Sequence, residues 1–367
     1  MLFHSTFRKE LARSFGATLV VLVTIVMTMT LIRTLSQASR GSVNPQEILM
    51  VMGYTVLGYL PPILTLCLFI AIVGTLSRMY RDSEMVIWFS AGRGLSAFLR
   101  PLFGFAWPVL AVVALLALVV WPWSNQQTQE LRDRYGSRGD LERVAPGQFQ
   151  ESASGTRVFF LDKDTPDNAS GKNIFISMVE RGKESVTSAR SGRVVTQGDA
   201  RFLLLSNGQR LERTLATGEM KISEFTELGN QVGTASLATP DTAPVKTRST
   251  RALIADPTPV NRGELGWRLG LALAAINFVV IAAAVSSVNP RAGRSGNLLF
   301  ALFAFVVYFN LLNLGQAWVG SGRWTLAGVL LVLHGGTLLL AAFWLAKQHN
   351  NWSLVPWRRQ RAGAARA

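Results

Sequence analysis

The chain has 367 residues, of which 49% are apolar and only 16% are charged. Soluble domains carry about 25% charged residues, so this composition indicates a membrane protein, and it excludes a disordered chain because disorder requires low hydrophobicity. The single cysteine, Cys67, excludes an internal disulfide framework and a cysteine-based zinc site. The net charge of +15 suggests nucleic-acid binding only if the basic residues form one patch.

Six uncharged stretches are long enough to cross a bilayer, because a helix needs about 20 apolar residues to span a hydrocarbon core of about 30 Å. These stretches are Ser14–Ile32, Ile48–Ser77, Pro101–Gln129, Leu269–Pro290, Ser295–Gly322 and Trp324–Ala346. We therefore predict six transmembrane helices, three before and three after one long polar segment. The first stretch lacks a signal-peptide cleavage pattern after Ile32, so we expect it to remain as a span.

The basic residues of the short loops and termini are unevenly distributed. Fourteen lie on the side that carries both termini, and three lie on the other side. Short cytoplasmic loops are enriched in Lys and Arg, so both termini are predicted to be cytoplasmic and the polar segment to be periplasmic. Most of the net charge belongs to this asymmetry, and we therefore predict no nucleic-acid partner.

The predicted fold class is a membrane α-helical protein, with six transmembrane helices arranged 3+3, and an inserted periplasmic all-β domain resembling a jelly roll. The predicted domains are helices 1–3 in residues 1–123 with a short cytoplasmic helix at about 82–92, the periplasmic domain and linker in 124–266, helices 4–6 in 267–346, and a basic cytoplasmic tail in 347–367.

The polar segment is β-rich. Short runs of β-formers occur at 157–161, 173–179, 193–196, 201–205 and 220–225. Gly198-Asp199 and Asn207-Gly208 are turn signals between these runs, because their residues tolerate positive φ. Several short strands at this spacing favour a sandwich or jelly roll. Residues 233–260, rich in Thr, Ala, Pro and Ser, are predicted to form an extended linker.

The sequence offers little for catalysis or energy coupling. It contains no phosphate-binding loop for ATP, and no Asp or Glu lies in the six uncharged stretches, where an ion-coupled carrier usually keeps one. A membrane enzyme acting on lipids needs a nucleophile with a base, and Ser286-Ser287 has no His or Lys beside it in the sequence. We therefore expect no cofactor on this chain and an energy source on a partner.

The loop after the second span carries more apolar surface than a free loop needs. Ser83 is placed to cap a short helix whose first turn holds Glu84, and Met85, Ile87 and Trp88 follow. Such a helix suits docking into a groove on a cytoplasmic partner. The alternative is an interfacial helix that lies on the bilayer.

Arg33 stands at the outer end of the first span. A guanidinium binds phosphate bidentately, so Arg33 is a candidate lipid-binding residue. The alternative is an anchor whose charged end reaches the membrane interface.

Several segments carry a resemblance to a known family. They are Arg8-Lys9-Glu10, Tyr80-Arg81-Asp82-Ser83-Glu84, Pro146-Gly147-Gln148-Phe149, Glu264-Leu265-Gly266-Trp267-Arg268 and Val288-Asn289-Pro290-Arg291-Ala292-Gly293-Arg294. In this order, and with a 3+3 arrangement around a β-rich domain, they resemble the LptF/LptG (YjgP/YjgQ) permease family of the lipopolysaccharide exporter. The last segment resembles the LptF branch.

The resemblance implies a subunit that extracts lipopolysaccharide from the inner membrane and passes it to a periplasmic bridge. It implies a heterodimer with an LptG-like permease, an LptB-like ATPase dimer that binds ATP and Mg, and LptC-like and LptA-like periplasmic jelly-roll proteins. Glu84 resembles the acid of the family's coupling helix that meets a basic residue of the ATPase, and Arg33 resembles a lipid-contacting base. Gly263 and Gly266 stand where relatives often carry larger residues.

An alternative function is a membrane scaffold or regulatory protein that recruits cytoplasmic and periplasmic factors without moving a substrate. The dependence of partner ATP hydrolysis on lipid distinguishes the two functions.

Overall fold

A computed structural model describes residues 2–39, 43–90, 94–137, 149–151, 157–160, 162, 170–180, 182–197, 200–234, 243–286 and 294–349. Its α-helices are α1 (Leu2–Ser39), α2 (Ile48–Arg81), α3 (Glu84–Ser90), α4 (Leu99–Leu115), α5 (Trp121–Ser137), α6 (Thr250–Ala255), α7 (Pro259–Val285), α8 (Arg294–Gly320), α9 (Leu326–Val329) and α10 (Gly336–His349). Short π-helical segments, Leu116–Val120 and Leu330–Gly335, join α4 to α5 and α9 to α10.

Six helical segments are long and apolar enough to cross a membrane. They are Thr6–Ser39, Pro45–Arg81, Leu95–Arg134, Pro259–Val285, Leu298–Gly320 and Leu326–Gln348. The six predicted spans are therefore confirmed, and the chain is a multi-pass membrane protein. More than half of the apolar stretch is buried within the chain in the second and fourth spans, whereas the first span buries little of its own.

The polar segment contains an antiparallel sheet with six strands among the described residues. The strands are β1 (Phe149–Glu151), β2 (Arg157–Phe160), β3 (Ser170–Glu180), β4 (Lys183–Gln197), β5 (Ala200–Thr214) and β6 (Met220–Thr234). Each strand pairs with its neighbour in chain order. The predicted fold class, a six-span helical membrane protein with an inserted all-β domain, is confirmed. One face of the sheet buries a small apolar core, formed by Phe159, Ile174, Ile176, Ala189, Leu203 and Leu205.

The predicted turn at Asn207-Gly208 is wrong, because both residues lie inside β5. The chain reverses instead at Gly218, with φ 71°, between β5 and β6. Asn207 keeps the positive φ (54°) that the turn signal rests on, and this conformation produces a strand irregularity. A Cβ on Gly208 would lie 2.3 Å from the Ser188 carbonyl oxygen, so glycine is required there.

The irregularity at Asn207 crosses the central part of the sheet. In β5 the core-facing residues are Leu203 and Leu205, and then Gly208, which pairs with Ala189 of that face. The step of three residues from Leu205 to Gly208 replaces the usual step of two. Asn173 in β3 has a φ of 48° at the same level of the sheet. One extra residue in each strand therefore lets the same face remain buried on both sides of the irregularity.

Some predicted segments lie wholly or partly outside the described residues. These are the Gly198-Asp199 turn, Pro146–Gln148, Val288–Gly293 and most of the tail 347–367. The predicted linker 233–260 is partly helical, since α6 and the beginning of α7 fall within it.

The chain folds into two compact units. One contains residues 1–27, 56–125 and 245–367, and the other contains 28–55 and 126–244. In the first unit, Phe278 of α7 stacks near Phe69, Phe305 and Tyr308, with ring centroids 4.7, 5.3 and 5.0 Å away. Next to these rings, Asn277 donates to the Tyr308 hydroxyl (2.8 Å) and to the His334 carbonyl (2.9 Å). These contacts join the last three spans.

Glycines allow α7 to approach α8 and α9 closely. A Cβ on Gly263 would lie 2.8 Å from the Gln316 carbonyl oxygen and 3.0 Å from the Gly320 nitrogen. A Cβ on Gly266 would lie 2.8 Å from Leu326 Cδ1. The small residues at these positions therefore belong to tight helix packing, as in other membrane helix pairs.

We expect Gly263→Ala to destabilise the protein by about 1–3 kcal/mol, the usual cost of overpacking a tight interface. The added methyl meets backbone atoms of α8, which do not move as a side chain does. Thermal unfolding in detergent measures the effect. Gly74→Ala in α2 is the matched control, because among the described residues no atom outside the neighbouring α2 backbone lies within 4 Å of its Cβ position. Equal melting temperatures for the two variants would contradict this account of α7 and α8.

Candidate functional site

The short helix α3 follows α2 after a two-residue turn. It begins at Glu84, as predicted, and ends at Ser90. Ser83 precedes it with a φ of 58°, and its carbonyl oxygen accepts a hydrogen bond from the Val86 nitrogen (3.1 Å). The Ser83 backbone therefore closes the first turn of α3.

The two faces of α3 differ in burial. Met85 is 1% exposed, and the Trp88 ring packs edge-on against Phe98, with centroids 6.1 Å apart. Ile87 is 68% exposed, and Val86 is similarly exposed. Met85 and Trp88 therefore hold α3 against the rest of the chain, while Val86 and Ile87 form an outward apolar face.

Arg78, near the end of α2, binds two carboxylates from different helices. Its Nε donates to Oε1 of Glu10 in α1, and its Nη2 donates to Oε2 of the same carboxylate at 2.6 Å. Its Nη1 and Nη2 donate to Glu84 of α3, at 2.7 and 3.4 Å. All three guanidinium nitrogens are used, and each carboxylate is bound through both of its oxygens. Arg78 thus joins α1, α2 and α3.

Asp82 adds a third acid at this position. It accepts hydrogen bonds from Arg81 (3.1 Å) and Arg78 (3.2 Å). These bonds lower the pKa of Asp82 below its ordinary value, and the bond from Arg81 contributes most. With Glu10 and Glu84, the group contains three acids and two arginines and carries one net negative charge at neutral pH.

Glu84 was predicted to meet a basic group of a partner, and its hydrogen bonds to Arg78 were not predicted. The Glu84 side chain is 41% exposed, so one part of it is accessible while both oxygens bind Arg78. Glu10 and Glu84 belong to two separate segments of the family resemblance. Their pairing depends on how α1 packs against α2, which local sequence patterns do not encode.

Arg33 is exposed on α1, near its end. Gln37, one turn further along the same helix face, accepts a hydrogen bond from Arg132 of α5 (3.1 Å). Arg132 therefore brings a second guanidinium to this end of α1. Arg132 was not predicted as a site residue, because the third span was expected to end before it.

A buried ion pair lies inside the fourth span. Arg268 is fully buried, Glu264 is 2% exposed, and Arg268 Nε donates to Glu264 Oε1 at 3.0 Å. Glu264 lies outside the predicted stretch Leu269–Pro290, and a buried acid on the same helix was not expected. The uncharged stretch begins at Leu269, but α7 begins at Pro259, so the helix extends across both charges.

The other polar atoms of Glu264 and Arg268 form hydrogen bonds with three further segments of the chain. Glu264 accepts hydrogen bonds from Trp121 Nε1 (3.0 Å) and Gln316 Nε2 (2.9 Å). Arg268 donates to Thr250 Oγ1 (2.9 Å) and to the carbonyl oxygens of Arg248 (3.0 Å) and Lys246 (3.2 Å). The ion pair thus joins α5, α7, α8 and the segment that precedes α7.

These features define a class of protein: a multi-pass membrane protein with an inserted β domain and a short helix with an outward apolar face after its second span. Residues 7–348 match the family described as lipopolysaccharide export system permease LptF/LptG. The chain therefore belongs to this family.

Individual relatives match over nearly their whole length. Lipopolysaccharide export system permease protein LptF of Escherichia coli K12 is 26% identical to this chain over 362 residues, which cover 98% of this chain and 97% of the relative. LptF of Shigella flexneri matches to the same extent.

The two faces of α3 predict different responses to mutation. Met85→Ala should destabilise the protein by about 2–5 kcal/mol, because it leaves a cavity at a buried position. Ile87→Ala should change the stability by no more than about 0.5 kcal/mol, because the side chain is exposed. Thermal unfolding of the purified chain measures both. A large loss of stability for Ile87→Ala would show that its face is already covered within the chain.

The buried ion pair predicts strong coupling between its two residues. Arg268→Met should cost about 3–5 kcal/mol, because Glu264 then remains buried without its counter-charge. Adding Glu264→Gln should recover part of this loss, since the amide is neutral and its oxygen still accepts from Trp121. Unfolding of the two single variants and the double variant measures the coupling. Strictly additive losses would contradict it.

Proposed function

We propose that this chain is the LptF-type permease subunit of an ABC-type exporter, which extracts lipopolysaccharide from the inner membrane and passes it to a periplasmic bridge. The observation that carries the proposal is the family match over residues 7–348, together with relatives that align over nearly their entire length. Both the membrane spans and the β domain fall within this match.

The proposed orientation places both termini and α3 in the cytoplasm and the β domain in the periplasm. It rests on the excess of Lys and Arg in the loops and termini on one side of the spans. The proposed partners are an LptG-like permease, an LptB-like ATPase dimer, and LptC-like and LptA-like periplasmic proteins. The first span, like the third and sixth, buries little of its apolar surface within this chain, so that surface is open to lipid or to a second permease chain.

In this proposal α3 is the coupling helix. Its exposed apolar residues, Val86 and Ile87, are placed to enter a groove on the ATPase, and the accessible part of Glu84 is placed to meet a basic group there. ATP and Mg are bound by the ATPase, and this chain supplies the surface that moves with it. Met85 and Trp88 transmit that motion to the helices behind α3.

Arg33 and Arg132 are the proposed contacts for the phosphate groups of the lipid. Both side chains are exposed, and Arg132 reaches the α1 face one turn beyond Arg33. Two guanidinium groups suit a lipid that carries more than one phosphate.

Affinity purification in mild detergent tests the proposal. The tagged chain should retain an ATPase, a homologous six-span protein and a glycolipid that contains lipid A, identified by mass spectrometry. Arg33→Glu should lower the bound glycolipid about tenfold, the factor expected for one lost charge-assisted contact. Arg323→Glu is the control, because Arg323 is also exposed and is predicted to face the same side.

One result would contradict the exporter assignment, and another would contradict only the role of Arg33. An intact chain that retains only bulk phospholipid and no ATPase would favour the scaffold alternative. Equal glycolipid retention by Arg33→Glu and the natural chain would leave the exporter assignment in place but remove Arg33 from the lipid site.

A further inference from the structure

We propose that Arg78 is a positioning residue that links the coupling helix α3 to the first membrane span. This inference rests on the proposed function, since it concerns how motion of α3 reaches the permease. It follows from the pairing of one guanidinium with Glu84 of α3 and Glu10 of α1.

The geometry of the Arg78 contacts favours this role. A guanidinium has two edges that each present a pair of N–H groups to a carboxylate. In this chain Glu10 occupies the edge of Nε and Nη2, and Glu84 occupies the edge of Nη1 and Nη2. A bidentate pair fixes the direction of approach as well as the distance. Glu10 and Glu84 therefore hold defined positions relative to each other through Arg78.

A second contact between α3 and α1 is apolar and less directional. The Phe98 ring packs edge-on against both Trp88 of α3 and Phe7 of α1, with centroids 6.1 and 6.3 Å away. Ring contacts of this kind tolerate small sliding motions, because dispersion has no fixed direction. The Phe98 contacts keep α3 beside α1, and Arg78 sets where α3 lies along it.

The consequence concerns energy transfer. Displacement of α3 by the ATPase pulls Glu84, and Arg78 passes this displacement to Glu10 near the start of α1. Since α1 is a single helix from Leu2 to Ser39, it also carries Arg33. Arg78 therefore connects the coupling helix to the same helix that bears the proposed lipid contact.

Substitutions at either end of the pairing test the inference in the complete exporter complex. Arg78→Lys keeps the charge but does not bind two carboxylates bidentately, and Glu10→Gln removes the carboxylate on α1. Both variants should retain the ATPase and its rate of ATP hydrolysis, while lipid released per ATP falls about fivefold. The double variant should release as much lipid per ATP as the more impaired of the two single variants, because both changes break the same connection. Arg13→Lys, an exposed arginine one turn after Glu10, is the control.

A purely structural role for Arg78 predicts different results. In that case the variants would lose bound ATPase or melt earlier, and lipid released per ATP would stay constant for the complex that remains. Unchanged lipid release per ATP in Arg78→Lys and Glu10→Gln would overturn the inference. Effects of the two changes that multiply in the double variant would also overturn it.

A measurement without lipid separates this inference from the proposed function. The only native cysteine, Cys67, is buried, so spin labels can be placed at Ala12→Cys of α1 and Ser90→Cys of α3, both exposed positions. Arg78→Lys and Glu10→Gln should each broaden the distance distribution between the labels, and Arg13→Lys should not. Equal widths would overturn the role of Arg78. If the natural complex hydrolyses ATP and releases no lipid, the proposed function fails while these distances still decide the role of Arg78.

Discussion

A charge that is buried away from water has to be neutralised within the protein, because nothing else there replaces its lost hydration. Glu264 and Arg268 meet this constraint together, and their remaining hydrogen bonds determine which segments gather around α7. Trp121 comes from α5, Gln316 from α8, and Thr250 from the segment after the β domain. The close approach of α7 and α8 at Gly263 brings Gln316 within reach of Glu264.

The ion pair at Arg78 follows a different physical rule. Its side chain and that of Glu10 are about one-third exposed, so solvent screens the charges and reduces the free energy that the pair contributes. What remains is directional: a planar guanidinium holds two carboxylates at fixed angles. The Glu264–Arg268 pair therefore serves the stability of the bundle, and the Arg78 contacts serve the relative position of its helices.

Composition and periodicity were sufficient to predict the six spans, the inserted β domain and the helix that begins at Glu84. These features depend on local sequence, since span length and strand-forming runs are read over short windows. The contacts of Glu84 with Arg78, and of Glu264 with Trp121, join residues that are distant in sequence or that face each other only after packing. The beginning of α7 was placed too late because charged residues were treated as the limit of a span, and the buried pair shows why this fails.

The irregularity in the sheet also has a consequence for how the β domain can change in length. Asn173 and Asn207 lie at one level of the sheet, and the β3–β4 and β4–β5 pairs keep the same register on both sides of that level. Removal of Asn207 alone would give β5 the usual two-residue alternation while β4 kept its extra residue between Ala189 and Gly192, so the two strands could stay paired only around a bulge at this level. Matching extra residues in β3, β4 and β5 therefore keep these strands paired without a bulge at this level, whereas β5 and β6 shift register at Arg201/Phe202. The hairpin ends, such as the one at Gly218, are the places where the domain can gain or lose residues one strand pair at a time.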